Sequence, residues 1–90
     1  MRGDALGLIE VLGLAAACEA ADAAVKTAHV ELLGFEPSGQ GMVTIKVSGD
    51  VGAVTAAVEA ACAAAGRLSR VYASKVIARP DSAVVQEFIP

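Results

Sequence analysis

The chain has 90 residues, of which 56% are hydrophobic, 19% charged and 3% aromatic, with no Trp and a formal net charge of −3. That length allows one small domain, and the apolar excess excludes intrinsic disorder, which needs low hydrophobicity and high net charge. The acidic balance and the scarcity of aromatics argue against nucleic acid as a partner, because nothing is in excess to neutralise phosphates or stack on bases. In chain order, Ala5 to Val11 (ALGLIEV) reads as a strand ended by Gly13. A helix follows from Leu14, with Leu14, Cys18, Ala21, Val25 and Ala28 predicted on its inner face and Glu19, Asp22 and Lys26 on its outer one. Asp22 and Lys26 stand in the favourable i, i+4 order. Val30 to Glu36 returns to strand character, and Pro37 to Gly41 reads as a breaker-rich loop. Met42 to Val47 alternates as a strand, with Thr44 and Lys46 on one face. Asp50 then caps a second helix from about Val51 to Ala65. Val51, Val54, Val58, Ala61, Cys62 and Ala65 form its inner face, and Gly66 is predicted to close it in a left-handed conformation. Leu68 to Ile77 is the fourth strand, Pro80 ends the core, and Asp81 to Phe88 forms a short terminal helix.

The order β-α-β-β-α-β predicts an α+β, ferredoxin-like split βαβ: one domain over residues 1–90, with its core at about 4–80 and a tail at 81–90. Two right-handed units share one antiparallel sheet, the helices cover one face, and the other face meets solvent or another subunit. The mean hydropathy of +0.61 is high for a soluble monomer. Yet Glu10, Glu19, Asp22, Lys26, Glu31 and Glu36 interrupt the apolar runs, so none approaches the ~20 residues a membrane span needs. The opening MRGDALGLIEV also lacks the long apolar stretch of a secretory signal. Ordering costs of roughly 1.5 kcal/mol per residue nearly cancel burial in so short a chain, so the apolar excess predicts oligomerisation.

No catalytic constellation emerges. Cys18, Cys62 and the single His29 do not make a zinc set, which needs three or four close ligands. Both cysteines read as reduced, small, buried hydrophobes. Glu19 and Asp22 read as a solvated polar face. Cys18 or Cys62 with His29 makes a poor nucleophilic pair, since Cys18 is predicted buried and His29 lies eleven residues on. Ser48 to Gly52 is glycine-rich between strand and helix but lacks the P-loop lysine and the dinucleotide spacing. No enzyme activity, metal or cofactor is expected.

Several segments carry a family resemblance. They are Ala5-Leu6-Gly7-Leu8-Ile9-Glu10 with Gly13-Leu14, then Glu19 to Lys26, Gly34-Phe35-Glu36, Gly39-Gln40-Gly41, Val47 to Val54, and Val76-Ile77-Ala78-Arg79-Pro80. In that order and over about residues 4 to 90, the chain resembles the small hexameric shell proteins of bacterial microcompartments, in particular the propanediol-utilisation and carboxysome hexamers. The resemblance implies a structural role: six copies form a disc, discs tile with neighbouring hexamers and other shell proteins around enclosed enzymes, and an axial pore passes small polar metabolites in the bacterial cytoplasm. It implies a pore lined by Ser38, Gly39, Gln40 and Gly41, with the glycines permitting positive φ and Gln40 presenting its amide in place of the serine often found there. It implies edge contacts from Lys26 and Arg79, with His29 beside them where a small polar residue is expected; a histidine there adds a candidate for tuning packing and its response to pH. Two readings from other classes stay open: a dimeric, ferredoxin-like ligand-binding regulatory module, and a small enzyme using Cys62 or Asp50.

Overall fold

Strand and helix follow one another as the patterning predicts: β1 (Ala5–Leu12), α1 (Leu14–Thr27), β2 (Glu31–Gly39), β3 (Met42–Gly49), α2 (Val51–Gly66), β4 (Val71–Ala78) and α3 (Ser82–Phe88). The structure, a computed structural model, describes residues 3–88; Met1, Arg2, Ile89 and Pro90 of the expected domain span lie outside the described residues. The sheet order is β2-β3-β1-β4 and every pairing is antiparallel. Each βαβ unit is therefore split by a strand of the other, as the ferredoxin-like reading requires.

β1 is the central rail. Its register sets Gly7 against Val47, Ile9 against Ile45 and Val11 against Val43. Together with Ala5, the side chains of Ile9, Val11, Val43, Ile45 and Val47 enter the core under the helices. The alternate positions form the second face. That face is not simply open to water: Leu6 and Ser48, paired across β1 and β3, are fully buried, and Lys46 is only 8% exposed.

The inner face of α1 differs from the one periodicity predicts. Leu14 is 63% exposed, Val25 43%, and Cys18 is exposed as well. The buried stripe is Ala16, Ala17, Ala20, Ala21 and Ala24. In a helix this rich in alanine, two adjacent stripes both read as apolar, and size decides between them. The one-carbon side chains face inward because they let the helix axis sit close to sheet and neighbour. The larger apolar groups are left outside. In α2 the predicted face holds for Val54, Val58, Ala61 and Ala65, joined by Ala57 and Ala64, while Val51 is 47% exposed and Cys62 half-buried.

Element ends also shift, for local reasons. Gly66 lies inside α2, and Arg67 after it is right-handed (φ −75°), so no left-handed cap forms. Instead the N–H groups of Leu68 and Ser69 both donate to the Ala65 carbonyl, at 3.0 and 2.9 Å, and this tightened last turn delays β4 to Val71. β2 runs to Gly39, carrying Pro37 within it. An edge strand tolerates a proline because one row of its amides has no partner. Asp50 takes the cap position of α2, where its carbonyl accepts the Val54 N–H at 2.9 Å, but its carboxylate makes no capping bond. Asp81 does cap α3, its Oδ1 accepting the Ala83 N–H at 2.9 Å.

Gly7 fixes the depth at which α2 sits. A Cβ on Gly7 would lie 2.8 Å from Val54 Cγ1, 2.8 Å from Val58 Cγ2 and 2.9 Å from Val47 Cγ2. Stiff β-branched side chains cannot yield that space by rotating. Gly7→Ala should therefore cost about 1–3 kcal/mol by overpacking, lowering the melting temperature by roughly 5–15 °C. Val58, 6% exposed at the same contact, should tolerate charge worse: Val58→Asp leaves an unpaired buried carboxylate, which costs several kcal/mol, on the order of 3–5. Calorimetry of both variants tests this, and unchanged melting temperatures would mean that α2 does not pack here.

Candidate functional site

The expected site residues fall into two sets at opposite ends of the sheet, separated by the eight residues of β1, about 27 Å of strand.

At one end β2 turns into β3. Pairing runs to Gly39 opposite Met42, so the link is two residues, Gln40 and Gly41. Their φ values are 55° and 80°, after Gly39 at 90°. Two central residues with positive φ make a type I′ hairpin turn, whose twist matches that of the flanking strands. Gln40 is one of two non-glycine residues with positive φ among those described. For a side chain that long the left-handed region costs about 1–2 kcal/mol. Nothing lies within 4 Å of a Cβ built on Gly39, so its glycine answers a conformational need and not crowding inside the protomer. Ser38, Gly39, Gln40 and Gly41 are all exposed, and the Gln40 amide stands at the tip.

At the other end, Lys26 occupies the last turn of α1, His29 follows that helix, and Arg79 follows β4; all three are exposed. Backbone contacts tie this end together. A Cβ on Gly49, at the end of β3, would lie 3.4 Å from the His29 carbonyl oxygen. Gly3 packs so closely on Gly49 that a Cβ there would come within 2.3 Å of its carbonyl carbon. The Asp4 carbonyl beside it accepts the Arg79 N–H at 2.6 Å. Arg79 is the second non-glycine residue with positive φ (47°). Lys26 Nζ lies 2.9 Å from Asp22 Oδ2, the predicted pair. The hydrogen bond to Asp22, and then its charge, raise the Lys26 pKa further, so the ammonium stays charged throughout the neutral range.

Two of the pairings weighed in the sequence do not come together. Eleven residues of helix and linker, roughly 16 Å at helical rise, keep Cys18 from His29. Cys18 is exposed where the sequence predicts it buried, and both cysteines are free. Asp22 is engaged with Lys26, so Glu19 and Asp22 are not poised as an acid/base couple. Ser48 Oγ donates to Glu31 Oε1 at 3.5 Å, and a carboxylate at that position repels phosphate. No group of three or more potential metal ligands occurs among the described residues.

Two features escape the sequence reading. The Lys46 ammonium pairs with the Glu36 carboxylate across β3 and β2, with only 10% of the Lys46 side chain exposed. The alternation of MVTIKV puts Lys46 on the second face, but only the strand register shows which acid meets it. The other is a hydrogen bond of 2.8 Å from the Gly13 N–H to the Gly41 carbonyl, joining the start of α1 to the hairpin turn.

Comparison with known proteins bears on the family and the fold. The BMC domain family matches residues 5–80. The chain is 54% identical over 84 residues to the bacterial microcompartment shell protein PduA of Citrobacter freundii, covering 93% of this chain and 90% of that one. It is 51% identical to the shell protein EutK of Escherichia coli, covering 87% of this chain and 47% of EutK. It is 49% identical to the carboxysome shell protein CcmK2 of Synechococcus elongatus, covering 84% of this chain and 76% of CcmK2. A solved microcompartments protein from Desulfitobacterium hafniense superposes with a TM-score of 0.81 at 34% identity, over 91% of this chain and 44% of that one. A split βαβ with a glycine-bracketed hairpin at one end, matched along nearly its whole length by shell proteins, belongs to the BMC-domain family of microcompartment shell proteins.

Proposed function

We propose that six copies of this chain close into a flat ring, that rings tile into shell facets, and that Gln40 lines a channel on the ring axis. The observation that carries this reading is the separation of the two residue sets. A tile needs one end of the protomer for the axis and the other for its neighbours, and Ser38 to Gly41 stand some eight strand residues away from Lys26, His29 and Arg79. The exposed apolar side chains Leu14, Val25, Phe35, Val51, Leu68 and Tyr72 support burial between protomers, since a chain this short gains little from its own core. Six Gln40 amides and the neighbouring backbone N–H groups would give a narrow channel suited to small polar metabolites. The shell would stand in the bacterial cytoplasm around enzymes, with other shell proteins in its facets and no chemistry performed by this chain.

The first test is mass and morphology. Native mass spectrometry should give six chains per particle, and electron microscopy should show hexagonal sheets or tubes. A stable dimer would favour a ligand-binding module instead. Lys26→Asp should keep the six-chain mass and abolish sheets by reversing charge at the tile edge. Arg79→Ala should do likewise, because lysine or water cannot reproduce the directional donors of a guanidinium. Ordered sheets from both variants, at unchanged protein and salt concentration, would remove these residues from the edge.

The second test addresses the channel. Gln40→Glu sets six carboxylates close together. Some remain protonated, because like charges raise one another's pKa, but the residual charge should slow acetate severalfold while sparing acetamide, its neutral isostere. Flux through reconstituted shells measures this. An acetate-to-acetamide ratio equal to that of the unaltered protein would return the hairpin to a plain turn.

A further inference from the structure

We propose that Gly13 is the positioning residue of the Gln40 turn: its N–H holds the turn at the angle the channel requires. This rests on the channel reading above. Gly13 follows the central strand and precedes α1, with φ 93° and ψ 149°. That region is essentially closed to residues carrying a Cβ. Nothing lies within 4 Å of a Cβ built there, so crowding does not explain the glycine. The glycine answers that conformation, and its backbone groups are both engaged. Leu12, one residue earlier, donates its N–H to the Arg70 carbonyl at 3.0 Å, toward β4. Gly13 donates the opposite way, to the Gly41 carbonyl at 2.8 Å, while its own carbonyl accepts the Ala17 N–H at 3.2 Å and opens α1. One residue thus extends the β1–β3 ladder by a rung and starts a helix.

Beyond the strand pairing that runs to Gly39 opposite Met42, side chains give the turn little support. Its tip residues are exposed, and the nearest atom to a Cβ on Gly41 would be Leu12 Cδ1 at 3.6 Å. Gly41 is the second central residue of the turn, so holding its carbonyl fixes the Gly41–Met42 peptide, the one that follows Gln40 by a single residue. The bond also anchors the turn to the first residue before a 14-residue helix and not to another loop. Gln40 supplies the group at the channel; Gly13 sets where that group points.

Cys18 makes a direct test possible. Native ligation at Cys18 joins a synthetic segment of residues 1–17 to expressed residues 18–90, so Gly13 can be replaced by glycolic acid. The resulting ester removes one N–H and leaves side chains, the Gly13 carbonyl and backbone freedom in place. The ester protein should keep its six-chain mass. Amide hydrogen exchange over Gly39 to Met42 should quicken about tenfold, as expected when one anchoring bond is lost, and the acetate-to-acetamide flux ratio should move severalfold from that of the ligated, unmodified chain. Unchanged exchange overturns the proposal. So does quickened exchange with an unmoved flux ratio when Gln40→Glu does move it: the channel reading then stands and Gly13 plays no part in it. If Gln40→Glu also leaves the ratio unmoved, the channel reading falls and the role of Gly13 falls with it. Loss of the six-chain mass in the ester protein alone would make the bond a general element of the fold and overturn the assignment.

Discussion

Alanine stands at nearly every point where α1 and α2 meet each other and the sheet. Ala16, Ala17, Ala20, Ala24, Ala57, Ala61 and Ala65 are all at most 2% exposed, and beneath α2 the sheet answers with Gly7. Small side chains lose no rotamer freedom on burial and let two layers approach closely, so the protomer is thin, with a shortest Cα extent of 16 Å. Each one also buries little area. The larger apolar groups that a thicker core would absorb, Leu14, Val25, Phe35 and Tyr72 among them, are left on the surface. A thin plate that retains apolar side chains outside has apolar surface available for association, which is compatible with its membership of a shell-protein family.

The split βαβ topology adds a direction to the plate. β1 lies in the middle of the sheet, and its two ends meet different surroundings. Where it starts, Ala5 pairs with Gly49 and Ala78, which brings the ends of β3 and β4 beside the end of α1. Where it finishes, Leu12 pairs with Met42 beside the hairpin. Residues far apart in the chain, such as Lys26, Gly49 and Arg79, are thereby gathered at one end without a dedicated binding loop. Positive φ occurs at Gly13, Gly39, Gln40 and Gly41 at one end, at Gly3 and Arg79 at the other, and at Gly34 within β2, where the register with β3 shifts. Only Gln40 and Arg79 carry side chains in that left-handed region, one at each end of the sheet.

Much of this was legible from residue order. Alternation and breakers locate all four strands and three helices, and the glycines around Gln40 permit the positive φ that the turn adopts. The Asp22–Lys26 pair followed from spacing alone. Other features were not legible, for definite reasons. Periodicity does not place the inner face of α1, because it identifies apolar stripes and alanine makes two of them indistinguishable. Nor does the local sequence place the end of α2, because the choice between a left-handed glycine and a tightened turn depends on where the next strand must begin. Glu36 as partner of Lys46, and Gly41 as partner of Gly13, are separated from them in sequence and meet only through strand register.

What the sequence by itself determined is therefore the local and the repetitive: element order, turn chemistry, charge spacing along a helix, and the excess of apolar side chains over what one small core can hold. These depend on neighbours within a few residues, where backbone sterics and side-chain size act directly. What only the tertiary structure decided is which stripe of α1 faces inward, how deep α2 sits on Gly7, and that the hairpin tip and the Lys26, His29 and Arg79 set stand at opposite ends of one plate. Those depend on distances between segments brought together by the sheet, and no periodicity along the chain encodes a distance across it.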